Sequence, residues 1–180
     1  MRAFFGVPLP GPQREQLGEF LSRCAVLAPE FRWSAADNLH LTVRFVGSVE
    51  RDLVEGIADR LDATSGPPIS LELGDAGTFR RSRMARVVWL GLNSGVDALT
   101  TLAARVEAEC QAAGLPPEPR PFQPHMTLAR ARAREGARPP GLPAIPRLEP
   151  WVATELILFW SHLKKSGAVH EPIRTIRLAA

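Results

Sequence analysis

Two quartets in the chain, His40-Leu41-Thr42-Val43 and His125-Met126-Thr127-Leu128, share the order His, apolar, Thr, apolar. Side chains on a β-strand alternate between faces, so each quartet would set an imidazole and a hydroxyl on one face and two apolar residues on the other. Residues i and i+2 of a strand stand roughly 6.6 Å apart, which lets such a pair reach different oxygens of one phosphate. Two strands of this kind facing each other would surround the group.

A lone histidine on a strand is more often a hydrogen-bonded structural residue than a catalyst. Structural histidines, however, have no reason to recur with the same partner at the same offset. Metal binding has little support: neither His40 nor His125 has a second His, Cys or carboxylate at i+2 or i+4, and threonine is a poor zinc ligand. No metal and no cofactor are expected. A nucleophilic Thr42 or Thr127 would need a base pressed against its hydroxyl and an oriented third group, which the sequence does not indicate. The hydroxyls serve better as phosphate donors.

Acid and base catalysis by the histidine pair remains. Imidazole titrates near pH ~6.5, so one ring can be neutral and accept a proton while the other, beside an anion, stays charged and delivers one. Which ring takes which role is open at this point. A strained five-membered 2′,3′-cyclic phosphate needs little beyond such a pair, the two hydroxyls and a nearby cation. Arg130 follows on the His125 strand, but on a regular strand it points away from His125. A bulge or the end of the strand would have to bring it round.

The elements that must position these residues follow from periodicity. Residues 2–7 form a buried strand ended by Pro8 and Pro10, and Pro12 suits the first turn of a helix carrying Leu17, Phe20, Leu21, Cys24 and Leu27. Residues 31–33 read as a short edge strand, Asp37-Asn38 as a turn, and residues 39–46 as the first motif strand, closed by Gly47. Ser48 is placed to cap a helix with Val54, Ile57, Ala58 and Leu61, terminated by the run from Ser65 to Pro68. Residues 69–73 alternate as a strand, residues 74–83 read as a Gly- and Arg-rich loop, and residues 86–92 form an apolar strand. A third helix spans about residues 96–113 and stops at Gly114. A proline-rich connection over 116–124 leads into the second motif strand, 125–131. Residues 132–150 read as a loop, the best place for variability. Residues 151–163 read as one long strand, residues 164–167 as a turn, and residues 168–178 as its hairpin partner.

One order recurs: strand, helix, extended connector, His-x-Thr strand. It runs from Phe4 to His40 and again from Val88 to His125 over nearly equal lengths. The expectation is an α+β fold, a bilobal duplicated unit of antiparallel sheets with flanking helices around a central cleft, spanning residues 1–180 as a single domain.

The totals narrow the setting. With 180 residues and 45% hydrophobic content the chain is long enough for a packed core, and no apolar run has the length of a membrane span. A soluble, unexported, cytoplasmic protein is expected, probed by neither membrane nor metal, with Cys24 and Cys110 as reduced packing thiols. The net charge of +3 fits an anionic partner, although only Lys164 and Lys165 among 22 basic residues are lysine, a bias that also fits genome composition. The clusters Arg80, Arg81, Arg83, Arg86 and Arg130, Arg132, Arg134, Arg138 gain weight only where they adjoin the His-x-Thr strands.

Residues 40–47 (His-Leu-Thr-Val-Arg-Phe-Val-Gly) and 124–130 (Pro-His-Met-Thr-Leu-Ala-Arg) resemble the two signatures of the 2H phosphoesterases, in particular the RNA 2′,3′-cyclic phosphodiesterases once called 2′-5′ RNA ligases. The resemblance extends to Arg2-Ala3-Phe4-Phe5, to Gly77-Thr78-Phe79 before residues 86–91, and to the terminal hairpin. It implies metal-independent hydrolysis of RNA 2′,3′-cyclic ends to 2′-phosphates, with 2′-5′ ligation as a reverse reaction. It also implies His40 as the acid protonating O3′, His125 as the base activating water, Thr42 and Thr127 on the phosphate oxygens, and Arg130 assisting. The expected partner is RNA with such ends, tRNA fragments or short single strands, bound by a monomer. Relatives commonly carry a tyrosine after the glycine of the last hairpin; this chain has His170 and no tyrosine. His170 is expected to be exposed and His162 to be structural. Phe5, Trp33, Phe79 and Phe122 are candidates to stack on a base, with at least three expected in the core. The alternatives are a phosphodiesterase for another cyclic or 2′-5′-linked nucleotide, and an RNA-binding module without turnover.

Overall fold

The apolar run at the amino terminus becomes the strand around which one half of the fold is built. In the computed structural model, which describes residues 2–64, 66–164 and 167–179, β1 (Arg2–Pro8) leads through α1 (Gly11–Leu27), β2 (Phe31–Trp33) and a 3-10 turn (Ala36–Asn38) to β3 (His40–Ser48). α2 (Arg51–Ala63), β4 (Ile69–Arg81), β5 (Met84–Ser94) and α3 (Val96–Ala112) follow, then β6 (Met126–Ala131), β7 (Trp151–Ala153), β8 (Glu155–Lys164) and β9 (Gly167–Arg177). Ser65, and Lys165 and Ser166 of the expected hairpin turn, lie outside the described residues.

The strands join in the order β7-β4-β5-β6-β3-β1-β8-β9, with β2 beside β6. The duplication is visible in this order: β1 returns through α1 to pair antiparallel with β3, and β5 returns through α3 to pair antiparallel with β6. The halves meet where β3 and β6 pair at Leu41 and Met126. Near opposite ends of the order, β7 and β8 are separated in sequence by Thr154 alone, so the sheet must curl until its ends approach. The Leu178 N–H donates to the Thr154 carbonyl at that junction. The expected single strand over 151–163 is therefore corrected to two, with β7 paired to β4 and β8 to β1.

Helical periodicity turns Leu17, Phe20, Leu21 and Cys24 of α1, Val54, Ile57 and Leu61 of α2, and Leu99, Leu102 and Val106 of α3 inward to one continuous core. Each such fully buried side chain contributes about 1.5–3 kcal/mol. α3 ends as expected: Gly114 at φ +85 donates to the Gln111 carbonyl and Leu115 to Cys110, the paired bonds of a Schellman stop.

Two further expectations fail for visible reasons. Ser48 does not cap α2, whose cap is Glu50; Gly47, at φ +85, pairs with Ala3 just past a bulge at Val46 and lets β3 continue, so Ser48 is used in the ladder opposite Arg2. Of residues 74–83 only Ser82 and Arg83 turn; the rest continue β4, where Gly77 pairs with Trp89 and leaves room for its indole, which a Cβ would approach within 2.3 Å. Residues 132–150 do lack a strand, yet they are pinned: Ala137 bridges Ala85, Leu148 is buried, and Gln13 donates to the Glu149 carbonyl at 2.9 Å.

Candidate active site

Alternation along β3 buries Leu41 and Val43 and turns His40 and Thr42 to the other face, as their pattern predicts. Met126 and Leu128 are likewise buried while Thr127 is partly open. The pairing of Leu41 with Met126 fixes how the motifs meet. That register brings the His40–Thr42 segment alongside the His125–Thr127 segment, and Thr42, His125 and Arg130 line one cleft while His40 lines the small cavity beside it.

Each ring is held by the same device. Nδ1 of His40 lies 2.6 Å from the Asn38 carbonyl oxygen, and Nδ1 of His125 lies 2.7 Å from that of Gln123. A carbonyl only accepts, so both Nδ1 atoms carry hydrogen and Nε2 is the nitrogen of each ring that gains or loses a proton. In each case the carbonyl belongs to residue i−2, in the connector just before the strand. Residue-type reasoning missed these partners, since a backbone acceptor has no side-chain signature. His40 Nε2 lies 3.0 Å from Thr42 Oγ1, whose hydroxyl can donate to it.

The surroundings differ. The His40 ring stacks on Phe4 at 4.6 Å and meets His170 edge-on at 5.2 Å, with Phe159 at 5.9 Å. Burial in this cage pushes its pKa down to about 4, against the opposing pull of the Asn38 carbonyl; His170, His125 and Arg130 lower it further as neighbouring charges. His125 meets Phe79 edge-on at 4.8 Å and faces a wide cleft of about 1,240 Å³. Its pKa is also lowered, mainly by desolvation, with Arg130 adding to the effect. Gly6 completes the His40 side: a Cβ there would stand 3.2 Å from His40 Cδ2.

Arg130 is brought round by the bulge that its position demands. Val88 pairs with Ala129 and Trp89 with Thr127, leaving Leu128 as the extra residue. Leu128 and Ala129 are both buried, the parity shifts, and Arg130 emerges on the cleft that holds His125 and Thr42. Arg86, Arg120 and Arg134 line the same cleft, so both arginine clusters contribute to it. Arg44 lines it too, but is held by Glu107, Glu118 at 3.3 Å and the Pro116 carbonyl at 2.8 Å. It thereby ties β3 to the connector that carries Gln123.

Of the four aromatic candidates, Phe5 is fully buried, and Trp33 packs on the core with its indole donating to the Ala28 carbonyl. Phe79 and Phe122 line the cleft. Phe122, like Trp33, is also partly buried against the core, so three of the four are packed on it as expected; Phe45, half exposed on the same cleft, was not foreseen. The expected exposure of His170 is also corrected, because its ring packs against both His40 and Phe4. His162 pairs with Glu171 at 2.9 Å and stacks on Trp160, a structural setting. Cys24 and Cys110 are buried and unpaired, and burial raises both thiols to about 11. Among the described residues no group of three or more His, Cys, Asp or Glu is placed to hold a metal ion, and no helix is long and apolar enough to cross a membrane.

The profile of the 2′-5′ RNA ligase superfamily matches residues 14–164, a span that contains both motifs. The chain belongs to that superfamily. Among relatives of this family, the Escherichia coli K12 protein named RNA 2′,3′-cyclic phosphodiesterase is 33% identical over 175 residues, covering 96% of this chain and 94% of the relative. An Aeropyrum pernix protein of the same name is 37% identical over 112 residues, covering 62% and 61%. The family fold is equally clear: E. coli LigT, solved with 3′-AMP, superposes with a TM-score of 0.84 at 30% identity over 99% of this chain and 98% of that one.

Proposed function

We propose that the chain hydrolyses RNA 2′,3′-cyclic phosphate ends to 2′-phosphates without a metal, using His40 and His125 as a proton-transfer pair. The observation that carries this reading is the pairing of the two motifs at Leu41 and Met126, with both Nδ1 atoms clamped by carbonyls so that Nε2 is the proton-exchanging nitrogen of each ring. The names of the relatives supply the substrate class.

In the proposed reaction, His125 takes a proton from water as the water oxygen bonds phosphorus. The P–O3′ bond breaks, and His40 gives its proton to the departing O3′. Thr42, Thr127 and Arg130 stabilise the charge on the non-bridging oxygens. The roles suit the surroundings: His125 opens on the large, water-accessible cleft, whereas the apolar cage keeps His40 neutral when the cleft is empty. The negative phosphate is the term that lets His40 charge, so its protonation is coupled to substrate binding. A 5′-hydroxyl replacing water would form a 2′-5′ linkage by the same proton movements, the reversible ligation the family name carries.

The reading includes a single bilobal domain over residues 1–180, acting as a cytoplasmic monomer on tRNA fragments or other short single-stranded RNA. The arginine-lined cleft and the cleft-facing Phe45, Phe79 and Phe122 support an RNA strand there, and the buried thiols fit a reducing compartment. The test is to incubate EDTA-treated protein with an oligonucleotide ending in 2′,3′-cyclic phosphate and identify the product. A 2′-phosphate is expected. A 3′-phosphate, or no turnover until metal is restored, would overturn the proposal.

A further inference from the structure

His170 lies outside the paired motifs, yet it is in ring contact with one of the two histidines on which the proposed reaction rests. It stands on β9 opposite Ser161 of β8, edge-on to His40 at 5.2 Å and to Phe4 at 4.9 Å, so these three rings form one cluster. Its Nδ1 is buried and has no hydrogen-bond partner among the described residues. A polar nitrogen left unsatisfied in such a place is costly, and an apolar ring of similar size would fill the space without that cost. Two residues earlier on β9, the Ala168 carbonyl accepts from Asn38 Nδ2 at 2.6 Å, and the Asn38 carbonyl in turn clamps His40 Nδ1. β9 therefore reaches His40 by two routes, one through the clamp and one through the His170 ring.

The other charged groups around this cluster are accounted for. Arg14 and Asp37 line the same small cavity of about 240 Å³ and stand 3.8 Å from each other. Glu171 is engaged by His162, and His125 and Arg130 approach His40 from β6 across the cleft. Phe4 and Phe159, the remaining rings against His40, do not titrate. Among the described residues, His170 is the ionisable side chain in ring contact with His40.

We propose that His170 is a positioning residue for His40, holding the plane of its ring and, by its own charge, deciding when His40 can take up a proton. When His170 is protonated, a second positive charge on His40 is opposed at ring contact. When His170 is neutral, that opposition is gone. Even with water-like screening, two charges at this separation displace a titration by about half a pH unit.

The proposal rests on the two-histidine reading, but its first test needs no catalysis. In labelled full-length protein, the His40 ring resonances followed by NMR should titrate in two steps, one of them coinciding with the titration of His170. In His170→Phe, which keeps an aromatic edge, the step shared with His170 should vanish and the His40 midpoint should rise by about half a pH unit or more. The acidic limb of the kcat/KM profile should move upward by the same amount. A single-step His40 curve in the wild-type protein, or a midpoint unchanged in a folded His170→Phe or His170→Gln, would overturn the proposal. Absence of hydrolysis with the NMR coupling present would instead sink the proposed function and leave the His170–His40 coupling standing.

Discussion

In the β3 half of the site, His40 donates Nδ1–H to the Asn38 carbonyl and lies against Phe4 and His170; in the β6 half, His125 donates to the Gln123 carbonyl and meets Phe79, with Arg130 beside it. The clamp is repeated and the environment is not. A duplicated unit conserves what backbone geometry supplies, namely the strand, the connector and its i−2 carbonyl. What surrounds the ring diverges: β9 and β4, outside the repeat, supply His170 and Phe79, and a bulge in β6 supplies Arg130. The same imidazole thus becomes a buried, reluctantly charged group on one side and a cleft-facing one on the other.

Apart from the histidines themselves, the largest expected effect should treat the halves alike. Thr42→Val and Thr127→Val remove matching hydroxyl donors, and each should lower kcat by about 10²–10³, as loss of one preorganised donor does elsewhere. A loss confined to one variant in single-turnover assays would break the symmetry of the paired motifs. Next comes a difference between the halves. The His40 pKa falls from 6.5 unfolded to about 4 folded, so the unfolded chain takes up that proton first. The contribution is complete above pH 6.5 and is lost as pH falls toward 4, in total on the order of 3 kcal/mol. Urea unfolding of the wild-type protein and His40→Gln between pH 7 and 4.5 should show a steeper loss of stability in the wild type; equal slopes would contradict the buried-neutral account.

Arg130 sharpens the other half. Arg130→Gln keeps the bulge and removes the charge, and should weaken transition-state binding by about 1.5–3 kcal/mol, read as a fall in kcat/KM of one to two orders of magnitude. No loss would mean that the guanidinium is only a rim charge. The smallest effect belongs to Gly6→Ala, which brings a methyl to 3.2 Å from His40 Cδ2 while leaving His125 untouched. A several-fold drop in kcat at unchanged KM is expected, with about 1 kcal/mol of destabilisation or more from overpacking. An equal fall in thermal stability without change in kcat would show that the His40 ring tolerates the push.

Much of this arrangement was legible in the residues. The His-x-Thr pattern fixed the faces of β3 and β6, the helical stripes fixed the core, and the demand that Arg130 reach the cleft pointed to a bulge that is present at Leu128. What was not legible depends on contacts distant in sequence. Gly74 and Gly77 read as loop residues, yet Gly77 is in a strand to admit the Trp89 indole. Residues 151–163 read as one strand because periodicity carries no record of which partner each part will find across a curled sheet. His170 read as exposed since its neighbours, Phe4 and His40, are on strands far away in the chain. Phe45 follows the first motif in sequence, but its exposure on the cleft depends on the path of the connector and of β6.

The central claim is that His40 and His125 act as one unit on a single phosphate. Its most direct test is the single-turnover rate of 2′,3′-cyclic phosphate hydrolysis by the wild-type protein, His40→Ala, His125→Ala and the double variant, each verified as folded. The account predicts a loss of about 10²–10⁴ for each single variant, with the double no slower than the worse single, since a pair that works together fails together. A single variant close to wild type, or losses that multiply in the double, would contradict it.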